Sequence, residues 1–251
     1  MKTKIVSLCA IALKLVSVSS LQAATISLSA GTYTENFNSI TTTAPSGWDV
    51  RTSASSTTLG TVGSYTATIG TVTAWNDTTS GFKNFASSNS LTSAASSAAQ
   101  NAATDRALGL RQSGSFGDPG ASLNFNFSSS SLTVSSITID LEMLSVQTRS
   151  TVWTIQYGIG AAPTSFTTLA TFSDPGTFGS TTLSFTTSQF GTNLDNRSQA
   201  WFRVVALSAA TGSGNRDSFG INNFSITAIP ETSTSLLGFL GALGLLRRRR
   251  L

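Results

Sequence analysis

The run "LTVSSITIDLEMLSV" (residues 132–146) sets Ile137, Ile139, Leu141 and Met143 at every second position, with Thr138, Asp140 and Glu142 between them. A period of two sends alternate side chains to opposite faces of a strand, so one face is apolar and the other polar. The pattern recurs. "TVWTIQYGIG" aligns Trp153, Ile155, Tyr157 and Ile159, "SLNFNF" aligns Leu123, Phe125 and Phe127, and "WFRVVAL" and "FGINNFSITA" read as two late strands. Between the runs stand turn sequences such as "GDPG" (117–120) and "SDPGTFG" (173–179), in which Pro fixes φ and Gly accepts positive φ. Many short strands, each with one apolar face, predict an all-β chain folded as an antiparallel β-sandwich or jelly roll.

Composition agrees with that class. Ser and Thr supply 80 of the 251 residues. Both compete poorly for helix and are at home in strands and turns. With 39% apolar residues and 15 Phe there is ample material for a core. One segment departs from the pattern: "SSNSLTSAASSAAQNAATD" (87–105) has almost nothing large to bury and reads as a long surface loop or a frayed helix. No repeat of fixed period is present, and a single domain is expected over residues 25–228.

The sequence pI of about 9.6 comes from the ends. Lys2, Lys4 and Lys14 stand near the start, and Arg247, Arg248, Arg249 and Arg250 near the finish. Without these seven the body holds eight basic residues against eleven acidic ones. The basic balance therefore reflects targeting and gives no support to nucleic-acid binding.

Residues 1–24 carry the parts of a secretory signal: Lys2 and Lys4, an apolar run from Ile5 to Leu13 continued from Val16 to Leu21, and the small residues Ala23 and Ala24 for cleavage. The exported body is expected to begin near Ala24 or Thr25. Cys9 lies inside that signal, so the body has no cysteine and no disulfide framework.

Most catalytic chemistries are excluded by residue type. The chain has no His, which removes imidazole bases and His-based triads and zinc sites. Carboxylates remain. Asp140 and Glu142 share one strand face, a pairing that glycoside hydrolysis uses when a second element closes the geometry, but their apolar neighbours make them the solvated side of an amphipathic strand. Asp217, Asn222 and Asn223 in "NRDSFGINNFSI" come nearest to an oxygen-donor calcium set. No metal or cofactor is assigned. Of four Trp residues, Trp153 is expected in the core. Trp48 ("SGWDV") and Trp75 ("TAWND") stand beside turn residues and are the better candidates for exposure, and no spacing among the four, Trp201 included, picks out a sugar-binding groove. Arg106 and Arg111 are expected to be surface or strand-edge charges.

The finish is the most specific stretch. In "IPETSTSLLGFLGALGLLRRRR" a Pro-Glu pair is followed by a dozen small and apolar residues and then by four arginines. This layout resembles the PEP-CTERM sorting signal of Gram-negative bacteria. Pro230 and Glu231 match the first two motif positions, and Thr232 stands where the family has a second Pro. The resemblance implies recognition by a membrane-embedded exosortase, cutting near the motif and passage to the cell surface or extracellular matrix. A helix over residues 233–246 would span about 21 Å at 1.5 Å per residue. That is short against a hydrocarbon core of about 30 Å, which suits a transient hold in the inner membrane with the arginines kept cytoplasmic. The body, through "RALGLRQSGSFGDPGASLNFNF", "TVWTIQYGIG" and "DSFGINNFSITA", is similar to lectin-like β-sandwich ectodomains that precede such tails. The expected organisation is a signal peptide (1–24), an ectodomain (25–228) and a sorting segment (229–251). The expected role is a non-enzymatic, exported surface or matrix protein with exosortase as partner. A carbohydrate-binding, adhesin-like module that meets extracellular polysaccharide is the alternative, and a glycan-active enzyme using Asp140 and Glu142 comes third.

Overall fold

The computed structural model describes residues 22–63 and 74–231. In chain order the elements are β1 (Ile26–Ser27), β2 (Gly31–Glu35), β3 (Trp48–Thr52), β4 (Thr61–Val62), β5 (Gly81–Ala86), α1 (Ser97–Ala102), β6 (Arg106–Arg111), β7 (Ser122–Ser128) and β8 (Leu132–Ser145). There follow β9 (Arg149–Ser150), β10 (Trp153–Ile159), β11 (Thr167–Phe172), β12 (Gly179–Thr186), α2 (Thr187–Phe190), β13 (Ala200–Val205), β14 (Thr211–Gly212) and β15 (Ser218–Pro230). The expected signal helix and membrane helix lie outside the described residues.

Two sheets share one core. The first runs β11-β10-β13-β7-β3-β4, with β1 parallel to β7; the second runs β12-β8-β15-β6-β5, with β2 on β15. Every other pairing within the two sheets is antiparallel. The chain changes sheet repeatedly, from β7 to β8 to β10 and from β11 to β12 to β13 to β15, so a strand's chain neighbour is often across the core. This is the all-β sandwich that the period-two runs predict. Ile137, Ile139, Leu141 and Met143 of β8 face Leu123, Phe125 and Phe127 of β7 and Trp153, Ile155 and Tyr157 of β10 within one buried cluster. Ile159, the last of its alternating set, is exposed.

The alternation of β15 is broken once. Phe219 and Ile221 point inward, and a strict period of two would bring Asn223 inward next and turn Phe224 to solvent. Instead Asn222 pairs with Asp140 and Phe224 with Ile139, so Asn223 is an extra, bulged residue. Asn223 has φ 39°, in the left-handed region that Asn tolerates better than most residues. Its N–H is held by the side-chain oxygen of Asn222 at 2.8 Å. The bulge reverses the parity, and Phe224, Ile226 and Ala228 enter the core. Of the two other register shifts between β15 and β8, at Ser218/Phe219 and Thr227/Ala228, the latter keeps Val134 inside as well.

Three sequence expectations are corrected. Trp48 and Trp75 are each only 3% exposed. Trp48 stands between the sheets, edge-on to Phe224 at 5.1 Å and tilted on Phe125 at 5.2 Å; turn residues beside a Trp say nothing about which way the following strand faces. Arg111 is buried, its Nη1 donating to Ser218 Oγ at 3.3 Å, and burial pushes its guanidinium down. Arg106 is half-buried and donates to Asn84 Oδ1 (2.6 Å) and Asn84 O (2.6 Å). Residues 87–105 combine loop with the six-residue α1, capped by Ser96. They lie over the outside of the second sheet, where Leu91, Ala95 and Ala103 pack on a separate small cluster of Trp75, Phe85, Ala86, Ala107 and Leu144.

The bulge yields a prediction. Asn223→Val should lower the unfolding free energy by roughly 1–2 kcal/mol, the cost of a β-branched residue at positive φ. Asn223→Gly should stay near wild type. Urea denaturation followed by tryptophan fluorescence checks both; equal stabilities would mean that the bulge carries no such constraint.

Candidate functional site

Four places hold functional candidates: the two ends of the body and the outer faces of the two sheets.

At the C-terminal end, β15 runs past the expected domain boundary at 228. Ile229 pairs with Thr133 and Pro230 with Leu132, and Glu231 N donates to Ser131 O at 3.4 Å. Ile229 is 50% exposed, and Pro230 and Glu231 are exposed too. Thr232 and Arg247, Arg248, Arg249 and Arg250 lie outside the described residues. Among the described residues no helix is long and apolar enough to cross a membrane.

At the other end the chain is docked from Ala23 onward. Ala23 N donates to Asp49 Oδ2 (3.3 Å), and Asn126 Nδ2 donates to Ala23 O (2.9 Å) and Thr25 Oγ1 (3.1 Å). Ala24 and Thr25 are themselves exposed.

The outer face of the first sheet is a closed polar layer. Asp49 and Arg51 pair at 2.6 Å, and Asn124 Nδ2 donates to Asp49 Oδ1 at 3.0 Å. Arg203 donates to Gln156 Oε1, Thr58 O and Ser55 O, and its guanidinium lies 3.3 Å from the centre of the Phe166 ring. Desolvation pushes Arg203 down to about 9. Arg51 covers the ring of Trp201 at 5.0 Å, and Trp201 is fully buried. Arginines stack well on aromatic faces, and here they seal them.

The outer face of the second sheet separates the two carboxylates that share β8. Asp140 accepts from Thr182 Oγ1 (2.6 Å) and Asn223 Nδ2 (3.1 Å) near solvent. Glu142 is fully buried, which corrects the expectation of a solvated pair. Its Oε1 accepts from Ser87 Oγ (2.7 Å), Ser88 N (3.2 Å) and Ser88 Oγ (3.0 Å), while Oε2 has no partner. Asn222 Nδ2 donates to Ser87 Oγ (2.8 Å) and Asp105 Oδ1 (3.4 Å), so both ends of the 87–105 segment meet at Glu142. Burial, aided by the Asp105 charge, pushes the Glu142 carboxyl up to about 7 against the pull of its three donors.

The calcium candidates diverge. Asp217 accepts from Gln147 N (2.6 Å), and burial pushes it up to about 6. Asn222 turns its NH2 group toward Ser87 and Asp105, and Asn223 is the bulge residue facing Asp140. Among the described residues no three His, Cys, Asp or Glu side chains gather to hold a metal.

Beside the Glu142 cluster a groove of about 540 Å³ opens on the same face. Trp75 and Phe178 form one wall, with ring centres 4.8 Å apart at 52°; Leu144 and Val146 line it from the end of β8, and Ser97 and Gln100 from α1. Trp75 is locked by Nε1–H to Ala86 O (2.8 Å) and by its N–H to Gln100 Oε1 (2.8 Å). Periodicity does not reveal this groove, because it is built by a loop that crosses the sheet.

No protein-family model and no curated protein matches the chain. Among solved structures it is similar to the K2 cleaved adhesin domain of Lys-gingipain, at 10% identity and a TM-score of 0.46, over 78% of this chain and 99% of that one. It is also similar to the CBM22-1 xylan-binding domain from Paenibacillus barcinonensis, at 10% identity and a TM-score of 0.41, over 84% and 100%. A further cleaved adhesin domain of Lys-gingipain, from Porphyromonas gingivalis, gives 11% and 0.41 over 78% and 97%. Likenesses this distant leave function to be argued from the residues themselves.

Glu142 makes a signed prediction. Its folded pKa, about 7, lies above the ordinary value of 4.5. Between those values the native state binds more protons than the unfolded chain, so this group's contribution to stability falls as pH rises. Glu142→Gln should therefore gain stability relative to wild type by roughly 2–3 kcal/mol across that window. Urea denaturation at pH 4.5 and pH 8 measures the difference; a gap that does not change with pH would contradict it.

Proposed function

We propose that this chain is an exported cell-surface or extracellular-matrix protein, held in the inner membrane by its tail and then sorted by an exosortase. Its β-sandwich acts outside the cell without catalysis. The observation that carries the reading is the exposed end of β15. The last strand closes at Pro230, so the Pro-Glu pair stands at the exit of the sandwich with exposed side chains. A processing enzyme can meet that junction while the body stays folded.

The same sandwich supports a second reading, a carbohydrate-binding, adhesin-like module. The groove beside Trp75 and Phe178 favours it, since its rings adjoin hydroxyl and amide groups. Polysaccharide outside the cell would be the partner. Calcium enters this reading only through Asp217, Asn222 and Asn223, whose side chains engage different partners, so binding should be the same with calcium or with a chelator.

Deleting residues 232–251 tests the sorting reading. The truncated protein should appear in the medium instead of on the cell, with an unchanged thermal unfolding midpoint. Continued surface retention would remove the tail from the account, and a lowered midpoint would mean that the tail is part of the fold.

A further inference from the structure

We propose that the groove between Phe178 and the 93–100 segment binds a neutral saccharide, with the Phe178 ring as its apolar platform. The inference rests on the carbohydrate-binding reading above and gives it a site and a ligand class.

Three observations carry it. The first is electrostatic. Among the described residues no charged side chain lines the groove; its polar groups are the amides of Asn76 and Gln100 and the hydroxyls of Ser93, Ser96, Ser97 and Ser145. Asp77, Arg111, Glu142 and Asp217 stand in neighbouring positions but do not line it. A uronate, a phosphate or an ammonium would find no counter-charge here, whereas hydroxyls and amides are suited to uncharged hydroxyl groups.

The second is shape. The half-buried Phe178 leans on buried Trp75, and Val146, 38% exposed, continues the apolar surface. Asn76, Ser93 and Ser97 stand exposed around it. A ligand with an apolar face and a hydroxyl-bearing edge matches both parts, as a pyranose ring does. The volume, about 540 Å³, lies in the range of small-ligand sites, roughly 300–1,000 Å³.

The third is preorganisation. Gln100 ties the facing wall to Trp75: its Oε1 accepts from Trp75 N, and its Nε2 donates to Ala95 O at 2.8 Å. Ser96 caps α1 through Ala99 N at 3.2 Å. The two walls are thus hydrogen-bonded to each other, which lowers the ordering cost of binding.

The test is affinity electrophoresis of the full protein, recovered from exporting cells, in gels containing xylan, a β-glucan, galactomannan or alginate. Wild type should be retarded by at least one of the three neutral polymers. Phe178→Ala should weaken that interaction roughly tenfold or more, as loss of an aromatic anchor does. Ser97→Tyr, an exposed substitution that fills the groove without touching the core, should weaken it similarly with an unchanged unfolding midpoint. Neutral-polymer binding that survives Ser97→Tyr would overturn this site while leaving the carbohydrate reading intact. Retardation by alginate alone would overturn the neutral class. No retardation by any of the four would overturn the site and the carbohydrate reading together.

Discussion

The parity change at Asn223 is the constraint on which the sandwich depends. Without the extra residue Phe224 would leave the core, and with it the aromatic contacts that join the sheets. Phe224 meets Trp48 at 5.1 Å, Phe125 at 4.9 Å and Phe202 at 5.4 Å, all three from the opposite sheet. Buried rings of this size dominate core energetics, and tilted or edge-on geometry adds to simple area burial. The bulge also divides β15 into two functional halves. Its first half supports the outer cluster through Gly220 and Asn222; its second half pairs with β2 and β8 and leads the chain out at Pro230.

Part of each outer face is covered, by Ser55, Thr58 and Phe166 on the first sheet and by residues 87–105 on the second. Covering a sheet face buries polar groups, and each then needs a partner. On the first sheet arginine forks on carbonyls, a carboxylate and aromatic rings supply most of these partners, and Asn124 Oδ1 and Trp201 Nε1 are left without one. On the second sheet serines surround one oxygen of the Glu142 carboxylate, and its Oε2 is left without a partner. In the connection between β6 and β7 a buried Asp118 side chain is paired with Arg149 of β9 and with Arg216 of the connection between β14 and β15. A chain with only 10% charged residues thus commits many of them to fixing loops, leaving a surface dominated by Ser and Thr.

The strands were legible because burial on one face imposes a period of two, and β7, β8, β10, β13 and β15 stand where that period places them. What was not legible is non-local. Trp48 and Trp75 carry the same local signal, a Trp beside turn residues, yet one fills the main core and the other anchors the outer cluster. Glu142 alternates like a solvated residue and is buried only because residues 87–105 cross above it. In Asn222 and Asn223 the same side chains serve a ligand set or a bulge equally well, and only the register opposite Asp140 decides. The groove beside Phe178 has no sequence signature, since its walls come from residues 75, 93–100, 144–146 and 178.

The functional account joins a folded body to two terminal addresses. The body is closed at Pro230 by pairing with β8, and Ala23 is hydrogen-bonded to the first sheet, so both proposed processing points fall at the edges of the described fold. The most direct test is the intact mass of the protein recovered from the cell surface. The account predicts a species that begins near Ala24 or Thr25 and ends before the arginine cluster at 247–250. A mass corresponding to Met1 through Leu251 on surface-exposed protein would contradict it.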